Sequence, residues 1–331
     1  MYAPGQALPV YRAGDLSRNQ FLHLWTTGIP VVLTESQRNF QGHWDPGYFI
    51  EHHGKLSVTP IDCEFDQETP RMTASNFFAL LLKKSDQRTI LKLKDWPPKT
   101  DFKTTFGRLD HGFFRSVPVE CADLVCQGGI YNLAAHFPEG AVAPDLGPKL
   151  YIAIGARGDT NGMTKLHLDI TCAINIMMWS EDTMCKRPGA EWQIFPADSV
   201  ESLRSFLREE FSLSPDEDPI HQQQYYISHT MLARLRERYG LSLWTIYQYY
   251  GDIVCISAGC PHQVRNLTHA IKAACNFVSP QNLIRTVTLA SSLRTHRIAS
   301  GSGEDLLQLQ MLLLFGWMTM CAYEDDQAKH E

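Results

Sequence analysis

Between Lys149 and Val278 the chain breaks into short apolar runs of period two, parted by Gly and Pro turns, and this pattern constrains the fold more than anything else in it. Leu150-Tyr151-Ile152-Ala153-Ile154 stops at Gly155; Thr164 to Asp169, Ile174 to Trp179 and Glu191-Trp192-Gln193-Ile194-Phe195 follow. Strands resume at Leu243 to Tyr250, turn at Gly251-Asp252, continue through Ile253 to Ser257, and end with Ile271 to Val278. A period of two puts successive side chains on opposite faces of a sheet. One helical insert, about 198–240, interrupts the series. Asp198 is expected to cap its first helix, with Glu201 completing a capping box and Val200, Leu203, Phe206 and Leu207 on one apolar face. A second helix over 228–239 turns Met231, Leu232 and Leu235 inward and ends at Gly240. Many short strands around one helical insert suit a mainly β architecture, a double-sheet jelly roll of the cupin type. The alternative is a mixed α+β domain with no ligand-holding barrel.

The flanks read as helical. Asp15 to Thr27 has Phe21, Leu24 and Trp25 at helical spacing and Asp15 or Ser17 as cap; Val31-Val32-Leu33 then begins a short strand. Ala74 to Lys84 is a second helix with Ser75 as its expected cap, and Ile90 to Trp96 alternates as a half-buried strand that stops at Pro97-Pro98. The most apolar stretch, Leu306 to Met320, is shorter than the roughly 20 residues of a membrane span and contains Gln308 and Gln310. It is expected as a buried C-terminal helix over about 303–322. No repeat or linker divides the 331 residues. One domain over 1–331 is expected, with a helical and mixed part over about 10–130 and a β core over about 131–285.

The net charge of −6 excludes a chain that is basic throughout and binds nucleic acid by charge alone. It suits a basic partner. Nine cysteines, an odd number with no C-x-x-C pair, argue against a disulfide framework or zinc module and for a reducing compartment. Met1 to Gly5 lacks the basic start and apolar core of a secretory signal.

Within this frame a few polar residues stand out. His167 and Asp169 are two apart, so on a strand they share a face, with Leu166 and Leu168 on the other. A second His from a distant strand makes two imidazoles and a carboxylate, the facial set of non-haem Fe(II) oxygenases. His262 follows an apolar strand and a Gly259-Cys260-Pro261 turn; spacing alone leaves His221, His229 and His269 as competitors, while His52-His53 reads as a solvated helix end. Thr164 has the wrong parity to face His167 in an ideal strand, so a twist or bulge is needed to bring it there. Lys272, in an apolar run, is either an edge-strand gatekeeper or a buried partner for an anion. Asn175 is a polar residue in an apolar strand that needs a hydrogen-bond partner.

These residues sit in an ordered series of blocks: Leu91-Lys92-Leu93-Lys94-Asp95-Trp96-Pro97-Pro98, Pro144 to Tyr151, Thr164 to Asp169, Ala173 to Met177, Asp218-Pro219-Ile220-His221, Tyr249 to Asp252, Ala258 to Leu267, Ile271-Lys272 and Phe277 to Pro280. The series resembles the JmjC-domain proteins, in particular their histone H3 lysine-nine demethylase group. The resemblance implies a double-stranded β-helix that holds Fe(II) through His167, Asp169 and His262 and binds 2-oxoglutarate through Thr164, Lys272 and Asn175. It implies an O2-using dioxygenase that removes methyl groups from lysine on a histone H3 tail by N-methyl hydroxylation and formaldehyde release. Chromatin proteins are then further partners, and the nucleus, with the cytoplasm second, is the place of action. A protein side-chain hydroxylase of the same fold and a catalytically weak chromatin scaffold are the alternatives. Two departures from the family pattern are visible: Thr171-Cys172 where the family has Ser-Asp, expected to alter the pocket floor, and Ile152-Ala153-Ile154 in a strand the family makes more polar or aromatic.

Overall fold

In a computed structural model the described residues are 7–83, 90–155, 163–300 and 307–330. From Lys149 to Phe277 the strands alternate between two sheets. Lys149–Ala153, Cys172–Ser180, Ile253–Ile256 and Ala270–Phe277 belong to the larger sheet; Met163–His167, Ala190–Ile194, Trp244–Gln248 and His262–Asn266 form the smaller. Among the described residues every pairing in these two sheets is antiparallel, except that Val10–Arg12 runs parallel to Val31–Thr34. The inner faces meet over Val32, Met177, Trp192, Ile194, Ile246, Val254, Ile256 and Val264. This is the expected jelly roll, open rather than closed into a barrel.

The larger sheet grows to nine strands by adding pieces from the N-terminal part. Its order is Val10–Arg12, Val31–Thr34, Ile253–Ile256, Cys172–Ser180, Ala270–Phe277, Lys149–Ala153, Leu91–Trp96, Ile61–Asp62, Gln67–Glu68. Helices Pro46–His53, Ala74–Leu81 and Phe102–Ser116 cover its outer face with an aromatic cluster that includes Phe49, Phe78, Trp96 and Phe106. Phe49 and Phe78 stack at 4.6 Å. Ser17 caps helix Arg18–Thr26 in a capping box with Gln20, as its sequence invites. Thr73, not Ser75, caps Ala74–Leu81, because its hydroxyl lies one turn below the free Asn76 N–H.

The insert helices Val200–Phe211 and His229–Tyr239 bury Leu203, Phe206, Leu207, Met231 and Leu235 against Leu166 and Leu168. The leucines that alternate with His167 and Asp169 are therefore held by the insert. Gly240 ends the second helix at φ +64°, a left-handed position that suits glycine. Asp198 does not cap the first helix: it lies in a short 3₁₀ turn, Ser199 precedes the helix without a side-chain cap, and Glu201 pairs with Arg204.

Two differences from expectation lie after residue 280. Leu283–Ser300 is helical although its sequence carries no clear apolar stripe. The last helix runs Leu309–His330, later than 303–322, and is not buried. It packs Leu309 and Leu312 against Leu133 and Val278, while Trp317 stays 69% exposed and Met318 also faces outward. With a neighbour on only one side, a helix that is apolar nearly all round buries only one stripe.

Candidate metal centre

Strand Met163–His167 lies at the edge of the smaller sheet, paired with His262–Asn266. His167 stands opposite His262, and Thr164 opposite Val264. Three residues on one strand thus match two on the other. This is a bulge, and it gives Thr164 the parity that an ideal strand denies it. Thr164 and His167 consequently line the same cavity.

The strand ends at His167, so Asp169 does not reach the site by strand alternation as the sequence suggests. It sits in the irregular stretch that follows, where Gly259 N–H donates to its backbone carbonyl at 2.9 Å. Gly259, at φ +78°, belongs to the turn that leads into His262. One backbone bond therefore ties the second residue of the pair to the approach of the third. The imidazoles of His167 and His262 lie 4.2 Å apart, and one ligand atom from each of His167, Asp169 and His262 falls within 4.8 Å of the others.

The hydrogen bonds fix the tautomers. His167 Nδ1 lies 2.8 Å from the Lys165 carbonyl and His262 Nδ1 3.0 Å from the Cys260 carbonyl. A carbonyl oxygen only accepts, so both Nδ1 atoms carry the proton and both Nε2 lone pairs are available. Burial, then the neighbouring His167, hold His262 well below the usual imidazole range, to about 4. The neutral ring is the metal-binding form. Two neutral imidazoles and a carboxylate with open positions fit an octahedral divalent metal such as Fe(II).

Among the described residues no other three-residue group could hold a metal. His269 is buried, and its Nδ1 accepts from Gly155 N–H at 2.9 Å. His221 lies beside Asp218 and Arg204, and His229 opens a helix in solvent. His53 is no solvated helix end: it is half-buried, its ring 4.8 Å from that of Phe106, and burial lowers its pKa; His52 is the exposed member.

Lys272 lies in a central strand, between Met177 and Tyr151, which removes the edge-strand reading. It is 4% exposed, donates to Asn266 Oδ1 at 2.8 Å, and sits 5.5 Å above the Trp192 ring. No carboxylate pairs with it among the described residues. Burial lowers it from an ordinary 10.5 to about 7. A cavity of about 130 Å³ connects it with the three metal-type residues; Thr164, Asn175, Tyr151 and Trp192 also line it. The Asn175 side chain finds its partner in Gln248, whose Nε2 donates to Asn175 Oδ1 at 3.5 Å and to the Asn175 backbone carbonyl at 3.1 Å.

Ile152 and Ala153 do lie on this wall, but Thr171 and Cys172 do not form its floor. Thr171 accepts from Asn276 Nδ2 at 2.7 Å, and Cys172 is buried in the core beneath the larger sheet. Tyr151, Asn266 and Trp192 are absent from the sequence-derived set. Tyr151 donates to Asp95 at 2.6 Å. Asn266 carries a signal of parity, since it shares a strand face with His262; Trp192, between Ala190 and Ile194, carries none.

Residues 171–277 match the family model described as "JmjC domain, hydroxylase". The chain carries a JmjC domain. The match contains Asn175, His262 and Lys272 and begins just after the His167–Asp169 pair. Lysine-specific demethylase 3A of Gallus gallus is 31% identical over 340 residues, covering 89% of this chain and 26% of that protein. The Homo sapiens protein of the same name is 31% identical over 339 residues, with the same coverage. Lysine-specific demethylase 3 of Drosophila melanogaster is 32% identical over 350 residues, covering 92% of this chain and 41% of the fly protein. The JmjC chain thus spans about a quarter of its vertebrate relatives and two-fifths of the fly protein. No described helix is long and apolar enough to cross a membrane.

Proposed function

We propose that this chain is an Fe(II)- and 2-oxoglutarate-dependent dioxygenase that demethylates lysine on a histone tail, with lysine nine of H3 as the target. The observation that carries this reading is one cavity with a metal-type triad at one end and, at the other, a buried lysine with no carboxylate partner among the described residues. The names of the relatives add lysine demethylation.

Fe(II), 2-oxoglutarate and O2 together supply the oxidising chemistry, in which decarboxylation to succinate and CO2 accompanies hydroxylation of an N-methyl group. His167 and His262 offer Nε2, and Asp169 a carboxylate oxygen, as metal ligands. The Lys272 ammonium and the Thr164 hydroxyl would receive the far carboxylate of 2-oxoglutarate; charge-assisted bonds of this kind are the strong ones. Asn175 lines the same cavity. The walls keep water from the reacting methyl group. The hydroxylated methyl is a hemiaminal, which breaks down to formaldehyde and the shorter amine. A net charge of −6 favours encounter with a basic tail, more through on-rate than affinity. We assign the whole chain to one catalytic domain acting in the nucleus.

The test is formaldehyde release from a panel of methylated histone peptides, with Fe(II) and 2-oxoglutarate each supplied and withheld. Formaldehyde from an H3 lysine-nine peptide only when both are present is expected. Stable hydroxylated product without formaldehyde would replace demethylation by side-chain hydroxylation. No 2-oxoglutarate turnover on any peptide would leave a chromatin scaffold.

A further inference from the structure

A lysine buried to 4% exposure with no described carboxylate beside it needs some other stabilisation of its charge. Two groups supply it: the Asn266 carbonyl oxygen at 2.8 Å and the face of Trp192, with Nζ 5.5 Å from the ring centroid. Trp192 is itself fixed. Its indole N–H donates to Gln248 Oε1 at 2.8 Å, and Gln248 Nε2 donates onward to the carbonyls of Asn175 and Asp252, each at 3.1 Å. Gln248 is fully buried, so this chain of bonds has no competing water. The indole also neighbours the His262 ring, with centroids 5.9 Å apart.

We infer that Trp192 is a positioning residue for the cosubstrate's far carboxylate: its ring holds Lys272 as a cation aimed into the cavity while leaving that cation's anionic partner to be supplied by the ligand. This inference rests on the function proposed above and adds a residue and a relay, Trp192–Gln248–Asn175, to it. A carboxylate in place of Trp192 would form an ion pair with Lys272 and compete with the ligand. An aliphatic side chain would leave the ammonium without compensation and favour its neutral form. An aromatic face stabilises the charge without neutralising it, a contribution that is largest where water is absent. The low pKa of Lys272, about 7, accords with a cation that is barely held until an anion arrives.

The test compares two ligands on protein loaded with Mn(II), by titration calorimetry: 2-oxoglutarate, and 2-oxobutyrate, which keeps the chelating end and lacks the far carboxylate. Trp192→Leu is expected to weaken 2-oxoglutarate about tenfold or more, the scale of a desolvated cation–π contact. Its effect on 2-oxobutyrate is expected to stay within about twofold. Trp192→Phe, which keeps a ring without the N–H, is expected to fall between wild type and Trp192→Leu, and serves alone if Trp192→Leu does not fold. On wild-type protein, 2-oxoglutarate is expected to change indole emission, with much of that change lost in Trp192→Phe. Equal losses for both ligands would make Trp192 a packing residue only, and unchanged 2-oxoglutarate affinity would remove its role; either result overturns the inference. Failure of the wild-type protein to bind 2-oxoglutarate would instead overturn the proposed function, so the two failures are distinct.

Discussion

The two ends of the cavity are built on different principles. The metal-type end belongs to the smaller sheet and its turns, where His167 and His262 are oriented by backbone carbonyls and Asp169 by a backbone bond from Gly259. The proposed anion end belongs to the larger sheet, where Lys272 is buried and meets Asn266 and an aromatic face across the cavity. One end is organised by backbone hydrogen bonds and the other by desolvation. The first should therefore respond to side-chain removal in an all-or-none way, and the second in degrees.

The largest expected effect is at the metal-type end. Asp169→Ala or His262→Ala should abolish 2-oxoglutarate turnover, measured as succinate formed, while far-ultraviolet circular dichroism stays native. Retained turnover in either variant would break the assignment. At the anion end, Lys272→Ala should raise the 2-oxoglutarate concentration needed for half-maximal turnover by about a hundredfold, the scale of losing one member of a buried charge pair. It should change methyl-lysine peptide binding far less. Asn266→Ala leaves the lysine but removes its hydrogen-bond acceptor, and about a tenfold rise in the same requirement is expected.

The smallest effect is one of pH. Lys272 is lowered from 10.5 to about 7 in the folded, ligand-free protein. Between those values the unfolded chain holds a proton that the folded chain releases, so stability rises as pH climbs from about 7 towards 10.5. Melting temperatures across that window should show a steeper rise in wild type than in Lys272→Met. Parallel curves would mean that the buried lysine is already neutralised by another group.

The sequence carried the metal-type end well because its residues are polar in apolar strands, where they demand a reason. It also showed that Thr164 needs a bulge to join them, and the register between the two strands contains one. The position of Asp169 was harder. Alternation places it correctly by face, yet the strand ends before it and a tertiary bond from the Gly259 turn does the work. Trp192 was hidden for the opposite reason: an aromatic residue between Ala190 and Ile194 reads as ordinary core, and nothing in one strand reveals that a lysine from another lies over its ring. The last helix misled because apolar content indicates burial only where neighbours exist on every side. Asp198 misled because its cap pattern fits a helix start one residue earlier than the 3₁₀ turn over Ala197–Ser199 allows.

The cavity's division between two sheets also makes it a calliper. The span from the triad to Lys272 is set by how closely the sheets pack, through Met177, Val254 and Ile246, rather than by any single strand. Such a gauge measures ligand length. Under the proposed function, a five-carbon oxo-dicarboxylate would bridge the two ends, while one a carbon shorter or longer would give up an end. Selectivity for the cosubstrate is then written into core residues that never touch it.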